Sequence, residues 1–278
     1  MKIFKFAISV AALLAFSFAS ATPAHAGTVI LEGSDAIGYH CANGQTGACD
    51  YRDQVWSAIA GPSTLPIAVF GNTVNGTPVA GSAAHAVADF STVAAAGALN
   101  QYAALYFLAV DGCCNEDDSL ITASGAQTAV SAYLAGGGTV MIENYIGGAA
   151  WDFAVGAGGL GHANVAGWDG GLPPSNGNDG ETVTATGLAN GFTQPPVLGT
   201  WSHQGYNEAF FAPLGFSYSF YNSDPSFAAS NPTLGPFSSL LSNGLTKTGE
   251  ATTPEPASLA LFGLGLLAMG VVRRARRV

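Results

Sequence analysis

The chain has 278 residues, a formal net charge of −10 and only 9% charged residues. Hydrophobic residues make up 48% of it, which argues against intrinsic disorder and leaves enough apolar side chain for one sizeable core. The acidic balance argues against nucleic acid and anionic lipid as partners.

The front end reads as an export signal. Lys2 and Lys5 form a positive start, Phe6 to Ala21 is apolar apart from a few serines, and Ala24-His25-Ala26 is an A-x-A box. Such an arrangement predicts cleavage by signal peptidase before Gly27, with residues 1–26 as signal peptide. Four arginines sit at the far end, so Arg52 and Lys247 are the only Lys or Arg between the two ends.

From Gly27 onward, strand and helix patterns alternate. Thr28 to Leu31 is a short apolar run between Gly27 and Gly33, a first strand. Gln54 to Ala60 predicts a helical turn ended by Gly61-Pro62. Leu65 to Phe70 predicts a second strand, closed by Gly71-Asn72. Thr92 to Leu99 is Ala-rich and predicts a helix. Ala104 to Val110 is continuously apolar, as in strands buried on both faces.

The clearest helix follows. Ser124 and Gln127 have the spacing of a capping box. Ala126, Ala129, Val130, Tyr133 and Leu134 fall on one helical face, and Gly136 is the expected C-cap. Thr139 to Ile142 then predicts another buried strand, fed by that helix, with Glu143 at its carboxyl end. Strand, helix and strand joined by short glycine links predict an α/β fold: an open, mostly parallel sheet with helices on both faces.

The series Ala104–Val110, Ile121–Leu134, Gly136-Gly137-Gly138 and Thr139–Glu143 resembles the flavodoxin-type sheet of glutamine-amidotransferase-like domains. Thr182 to Phe192 and Trp201-Ser202-His203-Gln204 are similar to the second half of that sheet. The resemblance implies a nucleophile elbow of the form G-x-C-x-G after the glycine-fed strand. Here that place reads Glu143-Asn144-Tyr145-Ile146-Gly147, without cysteine. The likeness therefore extends to the sheet and not to the amidotransferase nucleophile.

The four cysteines are Cys41, Cys49, Cys113 and Cys114. Export favours disulfides, and three connectivities are open. Strain in a vicinal Cys113–Cys114 bridge tips the reading toward cross-links between the two loops. The catalytic alternative places a nucleophile at Cys113 or Cys114, with His203 as base and Glu143 as its orienting acid. Asp111, Glu116, Asp117 and Asp118 surround those thiols and would raise their pKa rather than lower it. The same four acids could instead hold Ca²⁺, which takes 6–8 oxygen ligands, although their spacing is not that of an EF-hand. His40, His85, His162 and His203 form no local metal motif. Gly156 to Gly161 matches G-x-G-x-x-G in letters but lacks the strand-to-helix context of a phosphate loop. The aromatics from Tyr206 to Tyr221 are expected to pack the end of the core.

The tail combines Pro254-Glu255-Pro256, an uncharged apolar run from Ala257 to Val272, and Arg273, Arg274, Arg276 and Arg277. The run falls short of the ~20 residues of a straight span, a deficit that snorkelling arginines make up. The basic cluster predicts a cytoplasmic end. These three parts in this order resemble the PEP-CTERM sorting signal. The resemblance implies recognition by an exosortase, cleavage near Pro254–Pro256, and a link to exopolysaccharide and biofilm.

The expected organisation is a signal peptide over 1–26, an exported α/β domain over 27–244, a linker over 245–253 and a sorting signal over 254–278. The domain is transiently anchored in the inner membrane, then surface-bound or extracellular. The expected role is a binding or structural component with no resident cofactor beyond a possible Ca²⁺. The alternative is a secreted hydrolase or amidase of the same sheet type.

Overall fold

The computed structural model describes residues 27–45, 47–73, 75–108, 118–167, 181–193, 203–223, 229, 232–233 and 235–245. The chain divides into two units, Met1–Thr246 and Lys247–Val278, and all of the second lies outside the described residues.

The expected open α/β sheet forms. Its first block is parallel. Strand β1 (Thr28–Glu32) pairs with β5 (Thr139–Glu143), β5 with β4 (Ala104–Phe107), β4 with β2 (Ile67–Phe70), and β2 with β3 (Val87–Phe90). The sheet then continues through antiparallel ladders. β10 (Phe237–Ser242) lies beside β1, and β8 (Gln204–Asn207) and β6 (Val165–Gly167) follow. β9 (Tyr218–Asn222) also pairs with β10, and the two-residue β7 (Thr182–Val183) pairs with β9. The antiparallel half and β3 are additions to the sequence expectation. Val87–Phe90 is only half-buried, and its Asp89 breaks the apolar run that marks the other parallel strands.

Alternate residues of the parallel strands feed two cores. Val29, Leu31, Leu105, Phe107, Val140 and Ile142 pack on one face. Ile30, Val69, Tyr106 and Met141 pack on the other. Both faces are covered, so consecutive strand residues are all apolar.

Helix α1 (Ala48–Ala60) covers the second face with Tyr51, Val55, Trp56 and Ile59 buried. It starts six residues earlier than the Gln54 of the sequence reading. Its first turns carry Asp50, Arg52 and Asp53, which hide the apolar period.

Helix α2 (Ser119–Thr122) and helix α3 (Ala126–Ala135) lie against the first face. Val130 and Leu134 are buried, and Ala129 and Tyr133 pack at their edge. The capping box does not form. Gly125 is the N-cap in a left-handed conformation, without a side-chain cap bond. Gln127 instead donates to the Ala150 carbonyl at 3.1 Å. The C-cap is Gly136, as expected.

The Ala-rich 92–99 segment is not an α-helix. It contains a 3₁₀ turn at Ala94–Ala96, stopped at Gly97 with φ 68°, and a second turn at Leu99–Gln101. Strand β4 ends at Phe107 rather than Val110, and residues 109–117 lie outside the described residues.

Helix α4 (Asp152–Val155) leads into the Gly156–Gly161 stretch. That stretch folds as turns, and the Asp152 carboxylate accepts from the Gly158 amide at 2.8 Å. A phosphate loop would turn such an amide toward an anion, so this glycine run has no such role. Helix α5 (Ala185–Ala189) is capped by Thr184, whose hydroxyl accepts from Gly187. Helix α6 (Glu208–Phe211) is capped by Asn207. Phe211, Phe216, Phe220 and Tyr221 are buried, in line with the expectation that these aromatics pack the core.

Cys41 and Cys49 are joined in a disulfide. This corrects the sequence preference for cross-links to Cys113 or Cys114. Cys41 closes a π-helical turn and Cys49 opens α1, which brings their Cα atoms to 4.7 Å, within bridging range. Cys113 and Cys114 lie outside the described residues.

Candidate functional site

The chemistry-bearing side chains gather at the carboxyl ends of β1 and β5. The parallel register sets Glu32 directly beside Glu143. Both follow residues of the second core, Ile30 and Met141, by two positions, so both turn to the α1 face. They are 0% and 1% exposed. The Tyr106 hydroxyl of the neighbouring strand meets both carboxyls, Glu32 Oε2 at 3.0 Å and Glu143 Oε2 in a shorter contact. Tyr106 in turn meets Trp56 of α1 edge to face, with ring centroids 5.0 Å apart.

A phenol has one proton to donate, and here it faces two carboxyl oxygens. At least one of the acids therefore holds a proton of its own, as closely paired carboxyls do. Desolvation pushes the Glu32 carboxyl up to about 8. Bonds from Tyr51 and Tyr106 oppose that rise, and the charges of Asp35 and Glu181 add to it. Desolvation likewise raises Glu143 well above the ordinary carboxylate range, with the charges of Glu32 and Asp35 behind it. Tyr106 and Tyr206 are raised by the same burial and the same acids.

A second cluster stands beside the first. After β1 the chain passes Gly33 and Ser34 to Asp35, then makes a π-helical turn over Ala36–Cys41. The His40 amide reaches the Asp35 carbonyl at 3.3 Å, a five-residue step. An α-helix aligns residues three and four apart, whereas a π turn aligns residues five apart. The turn thus returns His40 Nε2 to Asp35 Oδ1 at 2.9 Å. His203 arrives from the start of β8, with Nε2 at 3.1 Å from Asp35 Oδ2. Asp35 is 1% exposed, His40 5% and His203 7%.

Gly33 makes this meeting possible. The His203 and Gln204 amides both donate to the Gly33 carbonyl, at 2.6 and 2.9 Å. A Cβ on Gly33 would lie 1.9 Å from the Gln204 carbonyl oxygen, so only glycine lets β8 approach β1 this closely. The following contacts tie the two clusters together. Gln204 Nε2 donates to the Asn144 carbonyl at 3.0 Å, Tyr206 donates to the Glu32 carbonyl at 3.0 Å, and the Asn144 amide donates to the same carbonyl at 2.6 Å. Asn144 has φ 47°, a left-handed conformation that asparagine tolerates better than most residues.

The sequence reading placed Glu143 and His203 in one site, and the structure brings both to this sheet edge. It does not pair them. Glu143 bonds to Tyr106, and the acid that faces His203 is Asp35. Neither Glu32, Asp35, His40 nor Tyr106 was singled out as a functional residue from sequence. Glu32 was legible as the counterpart of Glu143, since both close an apolar parallel strand. Asp35 and His40 were not legible, because a five-residue spacing matches neither common period.

Of the four acids proposed for calcium, Asp118 is exposed and accepts a bond from Tyr145. Asp111, Glu116 and Asp117 lie outside the described residues, as do Cys113 and Cys114. His85 is buried away from this cluster, in the turn before β3. A shallow groove lined by Gly97, Leu99, Asn100, Ala129, Ala132 and Tyr133 belongs to the α3 side of the sheet and holds no acid or histidine.

No helix among the described residues is long and apolar enough to cross a membrane, and the apolar run 257–272 lies outside them. No curated protein and no solved structure matches the chain. Residues 252–277 match the model of the PEP-CTERM protein-sorting motif. The chain thus carries a PEP-CTERM protein-sorting motif at its C-terminal end, which implies an exported protein that is processed by an exosortase.

Proposed function

We propose that the exported domain, residues 27–244, works at the cell surface or in the extracellular matrix as a binding or structural component associated with exopolysaccharide. The observation that carries this reading is the sorting motif at 252–277, joined to an α/β domain whose only described Lys or Arg is Arg52. In this reading signal peptidase removes residues 1–26 and the exosortase acts near Pro254–Pro256. A neutral or weakly charged polysaccharide is a better partner for so acidic a surface than an anionic polymer.

Binding is tested with exopolysaccharide isolated from the producing strain. The purified protein should co-sediment with it, and the polysaccharide chain length should stay unchanged. Failure to co-sediment overturns the binding role.

A second reading, a secreted hydrolase or amidase, draws on the His203–Asp35 contact at 3.1 Å. A base held by a carboxylate is the arrangement that activates a nucleophile. Cys113 or Cys114 would supply that nucleophile. Fast alkylation of either thiol in the native protein supports this reading, and full protection against alkylation rejects it.

A further inference from the structure

We infer that Asp35, His40 and His203 form a binding site for one divalent transition-metal ion of the zinc type. The inference goes beyond the surface role proposed above and does not depend on it.

The first ground is donor geometry. One carboxylate oxygen and two imidazole nitrogens lie within 4.8 Å of one another, and both Nε2 atoms already stand 2.9 and 3.1 Å from the Asp35 carboxylate. Two donors on one zinc ion, each at ~2.1 Å, lie at most ~4.2 Å apart. A small side-chain rotation closes the set. Two imidazoles and one carboxylate suit zinc, iron or cobalt, whereas calcium prefers oxygen donors.

The second ground is support of a ligand. His40 Nδ1 lies 2.6 Å from Gln45 Oε1, an acceptor that holds the ring by Nδ1 and leaves Nε2 facing Asp35. Metal-binding histidines are held in this way by an outer acceptor.

The third ground is charge. Glu32, Asp35, Glu143 and Glu181 are all buried, and Asp35 and Glu181 both act electrostatically on Glu32. Arg52, the one described Lys or Arg, is engaged instead with Asp53 at 2.6 Å. The buried Glu143 Oε1 has no hydrogen-bond partner among the described residues. With at least one of Glu32 and Glu143 protonated, a divalent ion at Asp35 places positive charge beside the buried acids that stay ionised. It also clips the π turn after β1 to the start of β8, with His40 and His203 163 residues apart in sequence. Three donors among the described residues leave a fourth position for water or a further oxygen ligand.

The test uses the full-length protein, stripped with a chelator and dialysed against Zn²⁺, Co²⁺ or Ca²⁺ in turn. The expected result is one zinc or cobalt retained per chain, a higher melting temperature with either ion, and no shift with calcium. Bound Co²⁺ should show the visible absorption of a four-coordinate nitrogen–oxygen site. His40→Gln, His203→Gln and Asp35→Asn should each weaken zinc binding at least tenfold. If a variant does not fold, the wild-type stoichiometry and cobalt spectrum decide the question without it. No retained zinc or cobalt, an equal response to calcium, or zinc binding unchanged in folded variants would each overturn the inference.

Discussion

Glu32 and Glu143 stand side by side as register partners at the carboxyl ends of β1 and β5, and a single hydroxyl, that of Tyr106, bonds to both. Two fully buried acids that share one hydroxyl cannot both be charged at small cost. The pair is therefore a store of at least one proton, and this makes the fold sensitive to pH.

The direction of that sensitivity follows from linkage. The Glu32 pKa rises from 4.5 to about 8 on folding, and Glu143 moves the same way. The folded state thus holds protons that the unfolded chain releases. The stabilising contribution is complete below pH 4.5 and is lost as pH rises through about 8. The expected loss is on the order of a few kcal/mol across that window. Melting temperature measured against pH should fall in this range for the wild type. Glu32→Gln, which cannot ionise, should flatten the curve.

Tyr106→Phe removes the shared hydroxyl and leaves both carboxyls short of a partner. Orphaning a buried polar group costs about 1–3 kcal/mol, and here one carboxyl loses its donor while the other loses its acceptor. Urea denaturation should show a lower midpoint with an unchanged slope. A midpoint equal to wild type would mean that the hydroxyl does not hold the pair.

Ile142 is 1% exposed in the centre of the sheet, between β4 and β1. Ile142→Asp would bury an unpaired charge there and should abolish folding. Leu188 in α5 is 56% exposed, and Leu188→Asp should change stability by less than about 0.5 kcal/mol. Circular dichroism of the two variants side by side checks the contrast.

Gly33→Ala should also disrupt the fold, for a different reason. The new methyl would meet the Gln204 carbonyl at 1.9 Å, so β8 would have to withdraw from β1 and carry His203 away from Asp35. A crystal structure of this variant with the His203–Asp35 contact intact would contradict the role given to Gly33.

Four of the five parallel strands were legible because they are buried on both faces and so appear as unbroken apolar runs, Thr28–Leu31 and Thr139–Ile142 among them; the half-buried β3 was not. Helix α3 was legible from Val130 and Leu134, which repeat at helical spacing. Local punctuation was less reliable. Ser124 and Gln127 have the letters of a capping box, but Gly125 supplies the left-handed residue and takes the cap position. The alanines of 92–99 have helical propensity but too few apolar anchors to hold a helix against the sheet, and Gly97 stops the turn. The antiparallel half was hidden because Phe237–Ser242 carries buried serines that bond to backbone and side chains, as Ser242 does to the Val29 carbonyl at 3.1 Å. The Asp35–His40–His203 cluster depends on a π turn and on one glycine contact across the sheet. Neither leaves a periodic mark in sequence.

The sorting motif in 252–277 implies an exported protein that is processed by an exosortase. Intact mass spectrometry of the product released by the producing cells tests it most directly. The expected product starts at Gly27 and ends between Thr253 and Pro256, and in cells lacking the exosortase it keeps its C-terminal run. A surface or secreted product that still carries Arg273 to Arg277 in cells with active exosortase would contradict it.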